Sequence, residues 1–322
     1  MMHIAKLIWT ITFLIFESIN NILYLVYSNK NKSIIIFDLI KEYKIKEIKN
    51  CHDEEITNFS HFLNKEDKQD LFISISANDN NLKLWNFNNF ECILNLKNVN
   101  KNGFLDCACF FNDDNKNYII TCNHNKTGPS EPIKLFDFKG EKIQEIKKSN
   151  ENTTILYIYK DEILSKKYII AGNTGNVKSY IYNENDINLY NAYKDDFSEL
   201  SHRSIIIFQE ENITKLIKSS IDGAIRIWNF HSAKFLNIIY LGLEYEIYLY
   251  GICLWNKNNL IVGCSDKTIK IINLKELKVD KSFASHQNEV STIKKINHPK
   301  YGECLITRAR FDGEIKMWIK EN

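Results

Sequence analysis

Proline and glycine are scarce in this chain, with Pro 3 and Gly 11 among 322 residues. Tight turns must therefore be built mostly by Asn and Asp, which tolerate left-handed backbone. An excess of charge is lacking too, since Lys+Arg 42 stand against Asp+Glu 40, a formal net of +2. That balance excludes the strong field by which proteins gather nucleic acid or an anionic membrane. Neither Gly-x-Ser-x-Gly nor Gly-x-x-x-x-Gly-Lys occurs, so the nucleophile elbow and the phosphate loop are missing. The N-terminal apolar run, residues 7–16 (LIWTITFLIF), is too short to cross a bilayer and is stopped by Glu17. It has no small-x-small cleavage signal and reads better as a strand. The cysteines (Cys51, Cys92, Cys107, Cys109, Cys122, Cys253, Cys264 and Cys304) form no disulfide framework. Free thiols in a reducing compartment are expected.

What the chain does have is a pattern returning roughly every 47 residues, a period that signals stacked repeats. Its clearest copies are Asp79-Asn80-Asn81-Leu82-Lys83-Leu84-Trp85, Asp222-Gly223-Ala224-Ile225-Arg226-Ile227-Trp228, Asp266-Lys267-Thr268-Ile269-Lys270-Ile271-Ile272 and Asp312-Gly313-Glu314-Ile315-Lys316-Met317-Trp318. Each is a tight turn entering a short apolar strand that ends in a large residue. The strand ends Phe37, Trp85, Phe136, Tyr180, Trp228, Ile272 and Trp318 form a series of seven. A second series, Phe13, Phe62, Phe110, Tyr159, Phe208, Trp255 and Ile296, alternates with it without a miss. Four short β-branched and aromatic strands fit between successive landmarks, which is the arithmetic of a propeller.

The expected fold is all-β, a seven-bladed β-propeller of four-stranded antiparallel blades. One domain covers residues 1–322, with blades near 1–50, 51–99, 100–150, 151–196, 197–243, 244–285 and 286–322. The last repeat stops after strand c, and only Met1 and Met2 precede His3. The last blade is therefore predicted to lack its outer strand and to expose a strand-c edge.

His3, His52 and His286 each lie about ten residues ahead of the end of strand a. With Lys83-Leu84-Trp85-Asn86, Arg226-Ile227-Trp228-Asn229 and Lys316-Met317-Trp318, the chain resembles the WD40-repeat family over its full length. That resemblance implies a structural tetrad of His, a strand-b Ser or Thr, the turn Asp and the strand-c Trp. In blade two it would be His52, Ser74 or Ser76, Asp79 and Trp85. In blade seven it would be His286, Thr307, Asp312 and Trp318, while Asp222, Trp228 and Asp266 are the partial sets of blades five and six. Departures are plain: no Gly precedes any of these His, and the Asp of the terminal Trp-Asp pair is Asn86, Asn229 or Asn273.

Two stretches exceed what the repeat needs, and long loops tend to be functional. Residues 123–132 extend the b–c turn of blade three, bringing His124, Lys126 and Glu131. Residues 183–199 read as a connection from blade four to blade five, mixing Tyr190, Tyr193 and Phe197 with Asp195 and Asp196. Aromatics beside charges are what partner hot spots use. The resemblance and these loops imply a non-catalytic scaffold for proteins or peptides in a multiprotein complex, with no cofactor, nucleic acid or membrane. The cytoplasm is the expected compartment, with the nucleus as the other choice. A secreted or membrane-associated propeller is the first alternative. The second is an enzymatic or metal site in blade three, where Cys107, Cys109, Cys122 and His124 could converge.

Overall fold

The computed structural model describes residues 2–7, 10–64, 67–113, 116–125, 128–146, 149, 151–173, 176–183, 186–194, 202–242, 247–311 and 313–319. Among the described residues the regular structure is strand alone, 28 strands in seven four-stranded antiparallel sheets. The first strand is β1 (Met2–Leu7). Blade one is β2 (Thr10–Glu17), β3 (Leu23–Asn29), β4 (Ile34–Asp38) and β5 (Tyr43–Ile48). Blade two is β6 (Ile56–Asn64), β7 (Gln69–Ser76), β8 (Asn81–Asn86) and β9 (Cys92–Leu96). Blade three follows with β10 (Phe104–Asp113), β11 (Lys116–His124), β12 (Lys134–Asp137) and β13 (Lys142–Glu145). Blade four has β14 (Thr153–Asp161), β15 (Lys166–Asn173), β16 (Asn176–Asn183) and β17 (Asp186–Lys194). In blade five are β18 (His202–Glu210), β19 (Ile213–Ser220), β20 (Ala224–Asn229) and β21 (Phe235–Tyr240). Blade six has β22 (Leu249–Asn256), β23 (Asn259–Cys264), β24 (Thr268–Asn273) and β25 (Lys278–Ala284). The chain closes with β26 (Val290–His298), β27 (Gly302–Ala309) and β28 (Ile315–Ile319).

The recurring Asp explains the b–c turns. Its carboxylate accepts the amide two residues on: Asp79 from Asn81 at 3.0 Å, Asp222 from Ala224 at 3.1 Å, Asp266 from Thr268 at 3.1 Å. The residue after the Asp is left-handed in all four copies: Asn80 (φ 54°), Gly223 (φ 80°), Lys267 (φ 68°) and Gly313 (φ 63°). Glycine and asparagine adopt that region readily, whereas for Lys267 it costs about 1 kcal/mol. The c–d turns use the residue after the large strand-c side chain. Asn86 accepts the Asn88 amide at 2.8 Å, and Asn229 those of His231 and Ser232 at 3.0 Å. Asp137 accepts the Lys139 amide in the same way at 2.9 Å. Only an acceptor oxygen is needed, so Asn replaces Asp at no structural loss.

The strands fall into two compact units. One holds blades one to three and most of blade four; the other holds β1, the rest of blade four and blades five to seven. In the first, aromatic and aliphatic side chains such as Phe16, Phe59, Phe72, Trp85 and Phe87 fill the space between blades one and two. In the second, Ile225, Ile227, Ile239, Leu260, Val262 and Ile272 do so between blades five and six. Second and third strands are mostly buried, as in β7 and β20, while outer strands such as β25 are exposed.

Two expectations need correction. The last repeat supplies three strands, but its edge is not open, because β1 pairs antiparallel with β28 and completes the sheet β1-β28-β27-β26. Met2 lies opposite Ile319 and His3 opposite Trp318, so His3 belongs to blade seven and not to a tetrad of blade one. Strand a of blade one starts only at Thr10, which releases the residues before it for another sheet. The second correction concerns residues 183–199. Most of that stretch is β17, the outer strand of blade four, rather than a connecting loop. The extended b–c connection of blade three does lie between the end of β11 and the start of β12.

Candidate interaction surface and the polar frame beneath it

In blade two the Ser74 hydroxyl bridges two buried rings. Trp85 Nε1 donates to Ser74 Oγ at 2.8 Å, and Ser74 Oγ lies 2.8 Å from His52 Nε2. With the hydroxyl donating to Nε2, the His52 proton resides on Nδ1, which faces Asp79 at 3.9 Å, beyond a direct hydrogen bond. Burial pushes the His52 pKa down to about 4, outweighing the attraction of Asp79. Blade seven repeats the bridge through Thr307, 2.7 Å from both His286 Nε2 and Trp318 Nε1. There the acid at His286 Nδ1 is Glu314, at 2.9 Å. Asp312, expected in that role, lies outside the described residues.

In blade five an arginine stands at the centre of the frame. Arg226 Nη1 donates to Ser220 Oγ at 2.8 Å and to Asp222 Oδ1 at 3.0 Å, while Nη2 pairs with Asp222 Oδ2. Burial alone would raise the Asp222 carboxyl, but Arg226 and Ser220 bring it below the usual range. Trp228 is fully buried and its Nε1 has no hydrogen-bond partner among the described residues. In blade six Asp266 accepts from Thr268 and pairs with Lys270 Nζ at 2.9 Å.

These pairs expose a repeat position that sequence reasoning missed. Two residues before each large strand-c side chain stands a base: Lys83, Lys134, Lys178, Arg226, Lys270 and Lys316, with Ile35 in blade one. Lys316 pairs with Glu314 at 3.1 Å and donates to Ser285 O at 2.8 Å. Lys134 is buried and donates to Val99 O and Asn100 Oδ1 at 2.8 and 3.2 Å. The signal was in the sequence, as a base four residues after the turn Asp in blades two, five, six and seven.

Of the candidate partner-binding residues in blade three, Glu131 is committed internally. Its carboxylate accepts the Lys101 and Asn102 amides at 2.5 and 2.7 Å and pairs with Lys134. His124 ends β11, half-buried, its Nδ1 3.7 Å from Asp106. Lys126 lies outside the described residues, as do Asp195, Asp196 and Phe197. Tyr193 is buried, stacks on Phe230 at 5.9 Å and donates to Phe230 O at 2.6 Å, so it is a core residue. Tyr190 packs on Tyr168 at 4.9 Å. Cys107 does lie opposite Cys122 across β10 and β11. Burial holds the Cys109 and Cys122 thiols well up, as neutral groups. Among the described residues no three His, Cys, Asp or Glu side chains group as metal ligands would.

The strongest surface cluster joins blades six and seven, at the end where d–a and b–c connections emerge. Tyr250 donates to Glu289 Oε2 at 2.7 Å, and Arg310 Nη1 donates to both Tyr250 Oη and Glu289 Oε2, at 3.0 and 3.1 Å. The Arg310 guanidinium lies 5.4 Å from the Tyr250 ring and 5.2 Å from the Phe311 ring. Phe311 is 63% exposed, and Tyr248 nearby is 41% exposed. Burial and then Glu289 push the Tyr250 hydroxyl up, so it stays a neutral donor. A guanidinium fixed between rings presents a rigid, amphipathic surface at little entropic cost. The sequence held a signal here too: Arg310-Phe311 occupies the turn position of Ala77-Asn78, Ser220-Ile221 and Cys264-Ser265.

Seven four-stranded blades on a repeated buried polar frame define a seven-bladed β-propeller. No protein-family model matches the chain, and no curated protein matches it.

Proposed function

We propose that the chain is a WD40-type propeller acting as a non-catalytic scaffold that binds proteins or peptides through the d–a and b–c end of blades six and seven. The observation that carries this reading is the Tyr248, Tyr250, Glu289, Arg310 and Phe311 cluster. It combines an exposed aromatic with an arginine already ordered by its own fold, the composition that dominates partner interfaces. The His–Ser–Trp and His–Thr–Trp bridges support the WD40-type assignment. Eight free thiols favour a reducing compartment, the cytoplasm or the nucleus.

The test compares affinity capture by the wild-type chain and by Arg310→Ala/Phe311→Ala. The double variant should melt within about 2 °C of wild type, since surface positions contribute little to stability. It should lose one discrete set of partners. Capture of the same partners in the same yield would refute this docking face.

A further inference from the structure

One repeat position has an apolar side chain in six blades and a charged one in the seventh. Two residues past the large strand-c side chain stand Leu39, Phe87, Phe138, Tyr182, Phe230 and Leu274, then Lys320. Where rings occur, they reach the preceding blade. Phe87 lies 5.0 Å from Phe16 and 4.7 Å from Tyr24 of blade one. Phe138 lies 6.2 Å from Phe62 of blade two, and Tyr182 lies 4.9 Å from Phe111 of blade three. Phe230 stacks at 5.9 Å on Tyr193 of blade four. Each is a plug between neighbouring sheets.

The site that a seventh plug would fill can be located by register. Tyr24 lies opposite Asp38, and Phe16 lies opposite Tyr24. In blade six Asn259 lies opposite Asn273, as Tyr24 lies opposite Asp38, and Asn256 faces Asn259 with Trp255 just before it. Trp255 and Asn259 border a cavity of about 340 Å³, completed by Ile261, Ile271 and Trp318. Lys281, opposite Ile271 on β25, and Asp280 add a charged part of the wall. The volume falls within the range of small-ligand sites, and its lining of two indoles and two isoleucines is mostly apolar. The Trp318 Nε1 is bonded to Thr307, and Lys295 Nζ lies 4.7 Å from the Trp255 ring. Both rings are thus fixed before anything enters.

We propose that this cavity between blades six and seven receives an aromatic side chain, phenyl or phenol, carried on a partner polypeptide. The partner supplies in trans the plug that blades two to five supply in cis. The chain's own choice of Phe, Tyr and Leu at the equivalent positions identifies the chemistry. Asp280 and Lys281 provide an acceptor and a donor for the amides flanking the incoming ring. The site lies at the a–b and c–d end of the blades, away from the Arg310 cluster, and does not depend on the function proposed for it.

The test uses N-acetyl-phenylalaninamide as probe and the indole N–H resonances of the five tryptophans as readout. Saturable shifts should be confined to Trp255 and Trp318, with Trp85 and Trp228 unmoved. Ile271→Phe and, separately, Asn259→Phe, both at positions that line the cavity, should fill it in cis and weaken the probe by at least about tenfold. N-acetyl-lysinamide should not bind. Shifts at every indole or at none, or undiminished binding by both filled variants, would overturn the proposal. Toluene binding as tightly as the amide would also overturn it, in favour of a small apolar ligand.

Discussion

Acidification should weaken this propeller through His52, and the size of the effect follows from the site. The ring is buried, takes a hydrogen bond at Nε2 from Ser74, and has its pKa lowered from 6.5 to about 4. The fold therefore binds the neutral ring. Its contribution is whole above pH 6.5 and is lost as pH falls through the folded value of about 4. A tenfold change in proton affinity corresponds to about 1.4 kcal/mol, so the loss approaches about 3 kcal/mol in strong acid and is about 2 kcal/mol near pH 5. Protonation also turns Nε2 into a donor facing a hydroxyl that already accepts from Trp85, so the Ser74 bridge must rearrange. The assay is urea unfolding of wild type and His52→Gln, each at about pH 7.5 and about pH 5. His61 is lowered by burial too, against the pull of Asp70, so wild type alone would mix two titrations. The difference between the two proteins isolates His52. The variant should start less stable and lose less on acidification. Parallel losses in the two proteins would refute the reasoning.

Arg226→Met should cost about 3–5 kcal/mol because it leaves Asp222 buried without its partner, and the double variant Asp222→Leu/Arg226→Met should cost less. Equilibrium unfolding of the two variants checks the order. Thr307→Val strips both His286 and Trp318 of a partner and should cost about 1–3 kcal/mol for each group, whereas Thr307→Ser should recover most of it. Thermal melting with indole fluorescence reads that pair. Glu131→Ala should speed hydrogen exchange at the Lys101 and Asn102 amides, with little change elsewhere.

Much of the architecture was legible because each repeat must solve the same local problem. A left-handed residue after Asp79, Asp222 and Asp266, and a large residue closing strand c, recur because these blades make the same tight turn and pack the same strand. Pairing across the sheet was less legible. Nothing in the alternation of Met2–Leu7 says whether it should lie beside β2 or beside a strand more than three hundred residues away. The bond from Glu314 to His286 was hidden for a similar reason, since a glutamate carboxylate can reach His286 from two residues beyond the turn Asp. Tyr193 read as loop because charged and polar residues accompany it in the sequence, yet it is buried near the end of β17 and donates to Phe230 O. Of the Arg310 cluster, the sequence marked only the Arg310-Phe311 turn. The cluster's members come from three strand ends and meet only when blades six and seven pack together.

Both candidate sites involve blade seven, the blade that β1 completes. Met2→Cys combined with Ile319→Cys tests this directly, because the two Cα positions are opposed across the β1 and β28 pair. Opposed residues of an antiparallel pair lie about 4.5–5.5 Å apart, within disulfide reach. After mild oxidation, non-reducing peptide mapping should join the peptide carrying residue 2 to the one carrying residue 319. A folded protein in which residue 2 remains a free thiol, with residue 319 linked elsewhere or not at all, would contradict the account.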